Sequence, residues 1–555
     1  MHMATTGILR TRRNAAQLHA LASVEREIRS YDHAGGRKYL RDFYDAYRTY
    51  DSVLDSHQVR TAVTEAEIAL VADYHALPGS QRYLASLIRD PIVHRRPIVL
   101  GIETIFSRDQ HILDEWWRRE IDEAELRQRI RYDLDWGYEW EPFFELLSAA
   151  RDHAVGLYGL DCMPREDLRK IGARDRHAAA KLSDIRRRHP EALVLVLFGE
   201  SHLAPAHLPQ QIRQALPEDH VITVLQNVDA LYWNAAGERT DHVEAVRVAD
   251  DVFCVFNATP LEKYEHYRLY LNRCLRNEGG APDLGPTVYN LIEGLVRFLE
   301  INSYSAHNTT QPLLLVDSMP EVYSRSSDAL LRRLLSRKGF SPAQRRVMLQ
   351  RVKQRGSAYL PQLNAFYLRR FDMATATEDA TRFLHHACRG LPDRIQAGSA
   401  LTRSPEDAFF AETIENALAC FGSRILHPAR PAFRDADLCE MYELTREDLE
   451  QQSSLSYADL IEILDFLCWH RQAAESGRAS RLRPAGPDWT RVLSFTGRKR
   501  EYVADRLGML LGNDLYDAYI EGRIGAAALR RIFLTHLEEP GAARTAYANL
   551  NARLK

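Results

Sequence analysis

Residues 192–202 read ALVLVLFGESH, and this stretch decides the fold of the first half of the chain. An apolar run made mostly of Val and Leu is followed at once by Gly199, Glu200, Ser201 and His202. A near-continuous Val/Leu run predicts a strand that is buried on both faces, as in a parallel sheet covered by helices. The polar residues that follow predict that the chain leaves the sheet there.

Further short apolar runs alternate with amphipathic segments of helical spacing. They are IALVADYH (68–75), PIVLGIET (97–104), AVGLYGLD (154–161), VITVLQNV (221–228) and DVFCVFNA (251–258). Alternation of this kind predicts an α/β fold, with an open, mostly parallel sheet and helices on both faces. After about Pro260 the alternation stops, so a mainly α-helical C-terminal region is expected to follow.

The length of 555 residues is too great for one ordinary core. We predict an N-terminal helical segment over residues 1–50, an α/β domain over 51–260 and a helical region over 261–555. Pro-rich breaks at 428–431 and 484–487 indicate that the helical region could form two subdomains.

Bulk composition bounds the partners and the compartment. With 73 basic and 76 acidic side chains, the net charge of −3 predicts no nucleic-acid partner and no anionic membrane surface. No apolar stretch is long enough to span a membrane or to form a signal peptide. The seven cysteines are scattered, which favours free thiols and a cytoplasmic location. The partner is expected to be a small-molecule or peptide substrate, and an oligomer stays open.

Charged and imidazole side chains gather where the predicted strands end. Asp73 and His75 close the first strand, Glu103 closes the second, and His202 closes a later one. Because ligands bind outside the carboxyl ends of strands in open α/β sheets, we predict that these four residues converge at one site. Asp161 also ends a strand, and we interpret it as an N-cap of the following helix.

Two imidazoles and a carboxylate at one crevice suit a divalent metal ion. His75, Glu103 and His202 are the predicted ligands, with an open position for water. The bound water would be acidified, and Asp73 or Glu200 could act as general base. A metal-free alternative uses the same groups, because a carboxylate–histidine pair can activate water directly.

At these residues the sequence resembles the ChaN-type haem-binding uptake family, which is grouped with the Tiki proteases and the erythromycin esterases. The family pattern is Gly-Glu-x-His, a later Glu, and then Gly-x-x-His. Here these positions are Ala72–His75, Glu103 and Gly199–His202, and an Arg174-Asp175 pair also matches. The resemblance covers about residues 50–235. It departs at Ala72-Asp73, where the carboxylate is one methylene shorter than the family glutamate.

The resemblance leaves two classes of function open, and whether the protein is an enzyme stays open with them. The first is a metal-dependent hydrolase that acts through activated water, with Asp73, Glu103, Glu200 and Arg174 as catalytic residues. The second, which the family name implies, is a non-catalytic haem- or metal-binding protein. The expected cofactor is therefore either a divalent metal ion or haem.

Two other groups of residues receive structural interpretations. His385 and His386 are adjacent on a predicted helix and point about 100° apart, so we interpret them as part of a solvated helix face rather than as paired ligands. An aromatic group is expected to pack helices onto the sheet rather than to form a haem wall: Trp116, Trp117, Trp136, Tyr138 and Trp140.

Overall fold

The structure is a computed structural model, and it describes most of the chain. The described residues are 11–31, 38–163, 171–238, 241–275, 282–305, 314–324, 327–389, 404–444, 446–447, 449, 455–476, 489–495, 497–537 and 539–554. Two compact units divide the chain: the first holds residues 1–14 and 21–280, and the second holds residues 15–20 and 281–555. The domain boundaries predicted at about residues 50 and 260 stay predictions.

The first unit is built on a mostly parallel sheet. In order across the sheet, the strands in its described part are β1-β7-β8-β6-β2-β5-β3-β4. The pairs β1–β7 and β7–β8 are antiparallel and the others are parallel. The bounds are β1 Ser52–Leu54, β2 Ile68–Asp73, β3 Ile98–Phe106, β4 Gly156–Asp161, β5 Leu193–Gly199, β6 Val221–Gln226, β7 Ala245–Ala249 and β8 Val252–Val255.

Helices connect these strands, so the predicted α/β fold with a mostly parallel sheet is confirmed. The antiparallel strands β1, at one edge of the sheet, and β7, beside it, are additions that the apolar runs did not predict. The helices are α1 Arg12–Tyr31, α2 Lys38–Ala46, α3 Ser56–Glu65, α4 Pro78–Arg89, α5 Gln110–Trp117, α6 Glu123–Arg129, α7 Tyr132–Asp135, α8 Trp140–His153, α9 Ile171–Arg188, α10 Leu208–Ala215, α11 Asp229–Glu238 and α12 Pro260–Leu275.

Strand register brings the polar strand ends together. The central strand β2 pairs with β5 so that Asp73 lies opposite Gly199. On its other side β5 pairs with β3, and Ile102 lies opposite Leu197, so that Glu103 follows at the same height. The β3–β4 pairing is irregular between Ile102 and Phe106, and irregularities of this kind redirect side chains beside functional sites.

Every residue of β2, β3 and β5 is buried, which explains the near-continuous apolar runs in the sequence. Helices α4 and α8 pack side by side over this sheet, and their apolar faces join one hydrophobic core. Trp116 and Trp140 are buried in that core, and Trp117 and Trp136 pack against it, so the predicted packing role is confirmed for these four residues. Tyr138, the fifth, instead lines a cavity together with His75.

The second unit is mainly helical, as predicted, with one small sheet. Its described strands are β9 Glu321–Ser324, β10 Ser357–Leu360 and β11 Ala365–Leu368, in the order β10-β11-β9. Its described helices are α13 Gly285–Leu299, α14 Asp328–Arg337, α15 Pro342–Arg355, α16 Met373–Cys388, α17 Pro405–Leu426, α18 Asp435–Glu443, α19 Tyr457–Ser476, α20 Trp489–Ser494, α21 Gly497–Ile520, α22 Ala526–Phe533 and α23 Ala542–Leu554.

Several smaller predictions can be compared with this structure. The seven cysteines are free thiols, as predicted. In the described part of the chain, no helix has both the length and the apolar character needed to cross a membrane. The interpretation of His385 as solvated surface is wrong. It lies on α16 with about 1% of its surface exposed, because that face of the helix packs into the second unit.

Candidate functional site

The candidate site lies at the carboxyl ends of β2, β3 and β5, within the first unit. The predicted residues Asp73, His75, Glu103 and His202 come together there. Nε2 of His75 lies 4.0 Å from Oε2 of Glu103. On the other side of the same carboxylate, Nε2 of His202 lies 3.8 Å from Oε1. Glu103 therefore stands between two imidazole rings.

Each imidazole is held by its own carboxylate. Nδ1 of His75 lies 2.7 Å from Oδ2 of Asp73. Nδ1 of His202 lies 2.5 Å from Oδ1 of Asp175. A carboxylate accepts only, so Nδ1 of each ring carries the proton and Nε2 of a neutral ring presents its lone pair toward Glu103. The site thus contains two carboxylate–histidine pairs that face a common glutamate.

Glu103 is almost completely buried and is compensated by donors. Its Oε1 accepts a hydrogen bond of 2.5 Å from the guanidinium of Arg174, and its Oε2 accepts one of 2.6 Å from the backbone N–H of Gly199. Arg174 also donates to both oxygens of Asp161, at 2.7 and 2.9 Å. Burial by itself would lower the pKa of Arg174, but these two carboxylates raise it above its ordinary value, so the guanidinium stays charged.

Asp161 therefore belongs to the site. Besides Arg174, its carboxylate accepts a hydrogen bond from the backbone N–H of Cys162, and none of its side chain is exposed. The sequence alone suggests a helix cap at this position. Burial beside a guanidinium explains its presence at a strand end without the need for a cap.

Gly199 allows the close approach of these groups. A Cβ atom at this position would lie 3.0 Å from Oε2 of Glu103 and 3.1 Å from Nε2 of His75. Any larger residue would push the glutamate or the imidazole away. This contact gives a physical reason for a glycine at the end of β5.

A cavity of about 420 Å³ opens at the site. Its lining includes Asp73, His75, Gly199 and Glu200 together with four tyrosines: Tyr39, Tyr74, Tyr138 and Tyr267. The ring of His75 lies 4.4 Å from that of Trp136 and 5.3 Å from that of Tyr138, measured between centroids. About a quarter of the His75 side chain is exposed, whereas His202 is almost fully buried. His75 is thus the imidazole that faces an incoming ligand.

Glu200, predicted as a possible base, has a lysine partner. Nζ of Lys263 lies 3.3 Å from Oε2 of Glu200 and is completely buried. Burial raises the pKa of Glu200, and the charge of Lys263 opposes that rise. The ammonium also lies 3.7 Å from Asp229 and 4.5 Å from the ring centre of Tyr74. Glu200 therefore belongs to a buried ion pair beside the cavity.

The sequence reasoning missed three residues that build the site. Asp175 was quoted only as part of a pair, yet it holds His202. Tyr39 on α2 donates a hydrogen bond of 2.9 Å to the other oxygen of Asp175. Lys263 on α12 lies beyond the point at which we predicted the α/β domain to end. Of these three residues, only Lys263 lies in a segment with a recognisable sequence pattern. In its helix, α12, Tyr264, Tyr267 and Tyr270 recur at helical spacing.

The predicted metal ligands can be tested for fit. Within the described part of the chain, no three His, Cys, Asp or Glu side chains are arranged so that they could already hold a metal ion. Neighbouring ligands of one tetrahedral ion lie about 3.3 Å apart, as bonds of about 2.0–2.1 Å require. The two imidazole–Glu103 distances, 4.0 and 3.8 Å, are wider than this value. The donor types suit a divalent cation, but their spacing in this structure does not fit one.

Comparison with known protein families gives a match in the first unit. Residues 59–195 match the family described as haem-binding uptake, Tiki superfamily, ChaN. The resemblance noted in the sequence is therefore confirmed over those residues. His202, Tyr39 and Lys263 lie outside the matched segment.

Structural and curated relatives are sparse. A solved structure described as cofacial heme binding to ChaN of Campylobacter jejuni is similar, with 13% sequence identity and a TM-score of 0.25. The similarity covers 31% of this chain and 86% of that chain. A search of curated proteins finds no match.

Proposed function

We propose that the first unit is a hydrolase whose site activates a water molecule between His75, Glu103 and His202. The observation that supports this proposal is the pair of imidazoles, each bound through Nδ1 to a carboxylate and each directing Nε2 toward Glu103. A histidine held in this way has a fixed tautomer and can accept a proton at Nε2. Two such groups around one carboxylate suit proton transfer better than structural packing.

The charge balance of the site favours a cation. Four buried carboxylates, those of Asp73, Glu103, Asp161 and Asp175, face one guanidinium, that of Arg174. Four carboxylates outnumber the guanidinium and the two imidazoles together, so the group has a net negative charge in any protonation state of the imidazoles, and burial makes that charge costly. A divalent ion would offset that charge, and His75, Glu103 and His202 are the residues that would hold it. When bound, such an ion lowers the pKa of its water ligand.

The roles of the remaining residues follow from their partners. Asp73 binds His75 through one oxygen and accepts a hydrogen bond of 2.5 Å from Gln81 through the other, so we assign it the orientation of His75 rather than proton abstraction. When no ion is bound, Nε2 of His75, the more exposed imidazole, would be the group that takes the proton from water, whereas Nε2 coordinated to an ion could not accept it. Arg174 holds the carboxylate of Glu103 in place through its hydrogen bond. Glu200, paired with Lys263, orders the polar side of the cavity.

Haem binding is the second candidate, and two observations favour it. One is the family description over residues 59–195. The other is the cavity wall, where Tyr74, Tyr138 and Tyr267 offer flat apolar surface beside His75. Burial raises the pKa of Tyr138 well above its ordinary value, so its hydroxyl stays protonated. His75 is therefore the better candidate for an axial ligand to the haem iron.

One set of measurements separates the two candidates. The purified full chain is examined by elemental analysis and by its absorption spectrum, and hydrolysis is assayed with ester and peptide substrates after addition of zinc or manganese. We expect about one divalent ion per chain, as in other mononuclear catalytic sites, and no Soret band. His202→Ala and His75→Ala should each lose the ion and the hydrolytic activity.

The matched control is His220→Ala. His220 lies in the same unit but is about 44% exposed and bound to Asp251, so its loss should change neither metal content nor activity. A Soret band in the parent protein, lost in His75→Ala, would replace the hydrolase proposal with haem binding. Metal-free hydrolysis that depends on His75 would remove the cation but keep the water-activating role of the site.

A further inference from the structure

The helical hairpin of the second unit, residues 328–355, has a charge that the overall composition hides. It consists of α14 and α15 with the turn at 338–341. Between residues 328 and 355 the sequence has nine Arg or Lys and one Asp, a net charge of +8, in a chain whose net charge is −3. We predicted no nucleic-acid partner from the net charge, which averages over this segment.

The hairpin is held in place by its apolar face. Leu331 and Leu335 of α14 and Leu349 and Val352 of α15 are buried in a core with strands β10 and β11. The exposed basic residues occupy the other face, because helical residues three or four positions apart share a side, whereas Arg355 at the end of α15 is paired with Glu378. Arg332, Arg333, Arg337, Lys338, Arg346 and Lys353 are exposed. The cations are therefore displayed on a packed framework.

A cavity of about 670 Å³ is formed on this basic face. Its lining includes Arg332 from α14 and Arg345, Arg346, Gln350 and Lys353 from α15. Lys353 has a carboxylate partner, Asp328, at 3.3 Å. Within the described part of the chain, no ion pair joins Arg332, Arg345 or Arg346 to a carboxylate. Like charges around one cavity repel each other, so the arrangement is suited to an anionic occupant.

We propose that the basic hairpin binds the phosphate backbone of a nucleic acid, without reading its sequence. Arginine outnumbers lysine, and the planar guanidinium binds phosphate oxygens in pairs. Arg346 and Lys353 are seven residues apart, which places them about 10 Å apart along the helix, a distance that spans several phosphates rather than one. The exposed Arg333, Arg337 and Lys338 extend the charge beyond the cavity. An extended polyanion fits this pattern better than a small phosphate does.

The apolar surface of the hairpin argues against a membrane as the partner. Membrane-surface helices insert large apolar side chains beside their basic residues. Among the described residues of the hairpin, Val347 is the large apolar side chain that is well exposed, at 54%. One valine offers little area for insertion, so charge alone would have to hold a bilayer.

The proposal is tested by measuring how the full chain binds labelled oligonucleotides of about 20 residues, both single-stranded and duplex. Binding is measured at several salt concentrations. We expect a Kd between about 10⁻⁴ and 10⁻⁶ M at physiological salt, and weaker binding as salt rises. Arg345→Glu combined with Arg346→Glu should weaken binding at least about tenfold, and Arg345→Ala with Arg346→Ala should reduce the salt slope by about two contacts.

The matched control reverses as many charges elsewhere. Arg29 and Arg187 are 69% and 76% exposed in the first unit, so Arg29→Glu combined with Arg187→Glu makes the same change in net charge. Circular dichroism checks that both double variants fold. An equal loss of binding in the control would overturn the proposal. No oligonucleotide binding by the parent at low salt, or binding of anionic phosphatidylserine vesicles or of ATP as tight as that of the oligonucleotides, would also overturn it.

Discussion

The strand-end site of the first unit and the basic hairpin of the second unit carry opposite charge, and the charge is compensated differently in the two. At the site the carboxylates are buried, and hydrogen bonds from Arg174, His75 and His202 compensate them. On the hairpin, Arg332, Arg333 and Arg346 are among the cations that are exposed, and water solvates them. The comparison teaches that buried charges depend on their hydrogen-bond partners for the stability of the fold, whereas exposed charges are solvated and do not. Substitutions of charged residues should therefore lower the free energy of unfolding strongly at the strand-end site and hardly at all on the hairpin.

The largest effect is expected for Arg174→Met. This change leaves Glu103 and Asp161 buried without their cation, and removal of one partner from a buried ion pair costs about 3–5 kcal/mol. Urea unfolding should show this loss in the free energy of unfolding of the first unit. Arg187→Met, on the same helix but 76% exposed, should change the unfolding free energy of the first unit by less than about 1 kcal/mol. Arg332→Met on the hairpin should change the unfolding free energy of the second unit by an equally small amount.

A result in which Arg174→Met is as stable as Arg187→Met would contradict the compensation argument. It would mean that the two carboxylates take up protons without cost when the guanidinium is gone. Stability that rises as the pH falls, seen in the variant alone, would identify that response.

The second prediction applies the same comparison within the second unit, at a buried carboxylate among arginines. Burial opposes ionisation of Glu378, but Arg355, Arg382 and Arg430 together lower its pKa to about 2. A folded-state pKa below the ordinary value near 4.5 means that the ionised carboxylate stabilises the fold above about pH 4.5, and that this contribution of about 3 kcal/mol is lost as the pH falls toward 2.

Glu378→Gln should therefore destabilise the second unit at neutral pH and flatten the acid limb of its unfolding curve. Unfolding free energies are measured from pH 6 to pH 3 for both proteins. Glu501→Gln, an exposed position in the same unit, serves as the control and should follow the parent protein. A variant curve parallel to that of the parent would show that Glu378 does not carry the acid sensitivity.

The fold of the first unit could be predicted because its signal is local. Buried parallel strands are apolar along their whole length, and β2, β3 and β5 stand out in the sequence for that reason. Convergence of Asp73, His75, Glu103 and His202 followed from the rule that parallel strands end at one edge. Strand β1 has no fully buried residue and β7 has both buried and exposed ones, so no continuous apolar run marks either strand.

The supporting residues could not be predicted because their partners are distant in sequence. Tyr39 and Asp175 are separated by 136 residues, and Lys263 and Glu200 by 63. Asp175 lies inside an amphipathic helix, where an acidic residue is ordinarily solvated. The burial of His385 was missed for a related reason, because α16 packs on more than one side and its polar residues are not confined to an exposed face.

The smallest expected effect concerns the hydrogen bond between His202 and Asp175. It tests whether this bond orients the imidazole for metal binding or whether the imidazole is only buried. Asp175→Asn keeps the size of the side chain but no longer requires a proton on Nδ1 of His202. Loss of such a supporting carboxylate lowers metal affinity by about 10–100-fold. Tyr39→Phe removes a single hydrogen bond to Asp175, and we expect a loss below about tenfold because the carboxylate itself remains. Burial and the neighbouring Asp175 raise the pKa of Tyr39, so its hydroxyl keeps donating at all ordinary pH values.

Metal affinity is measured by titrating the two variants with zinc or manganese. Asp184→Asn, at an exposed acidic position on the same helix, is the control. Thermal unfolding is recorded beside it, since a purely structural role would lower stability without a selective change in metal affinity. The expected order of loss is Asp175→Asn, then Tyr39→Phe, then no loss for Asp184→Asn. Equal affinities in all three would reduce Asp175 to a packing residue. A loss in Tyr39→Phe as large as that in Asp175→Asn would instead make α2, which lies outside the matched family segment, an essential part of the site.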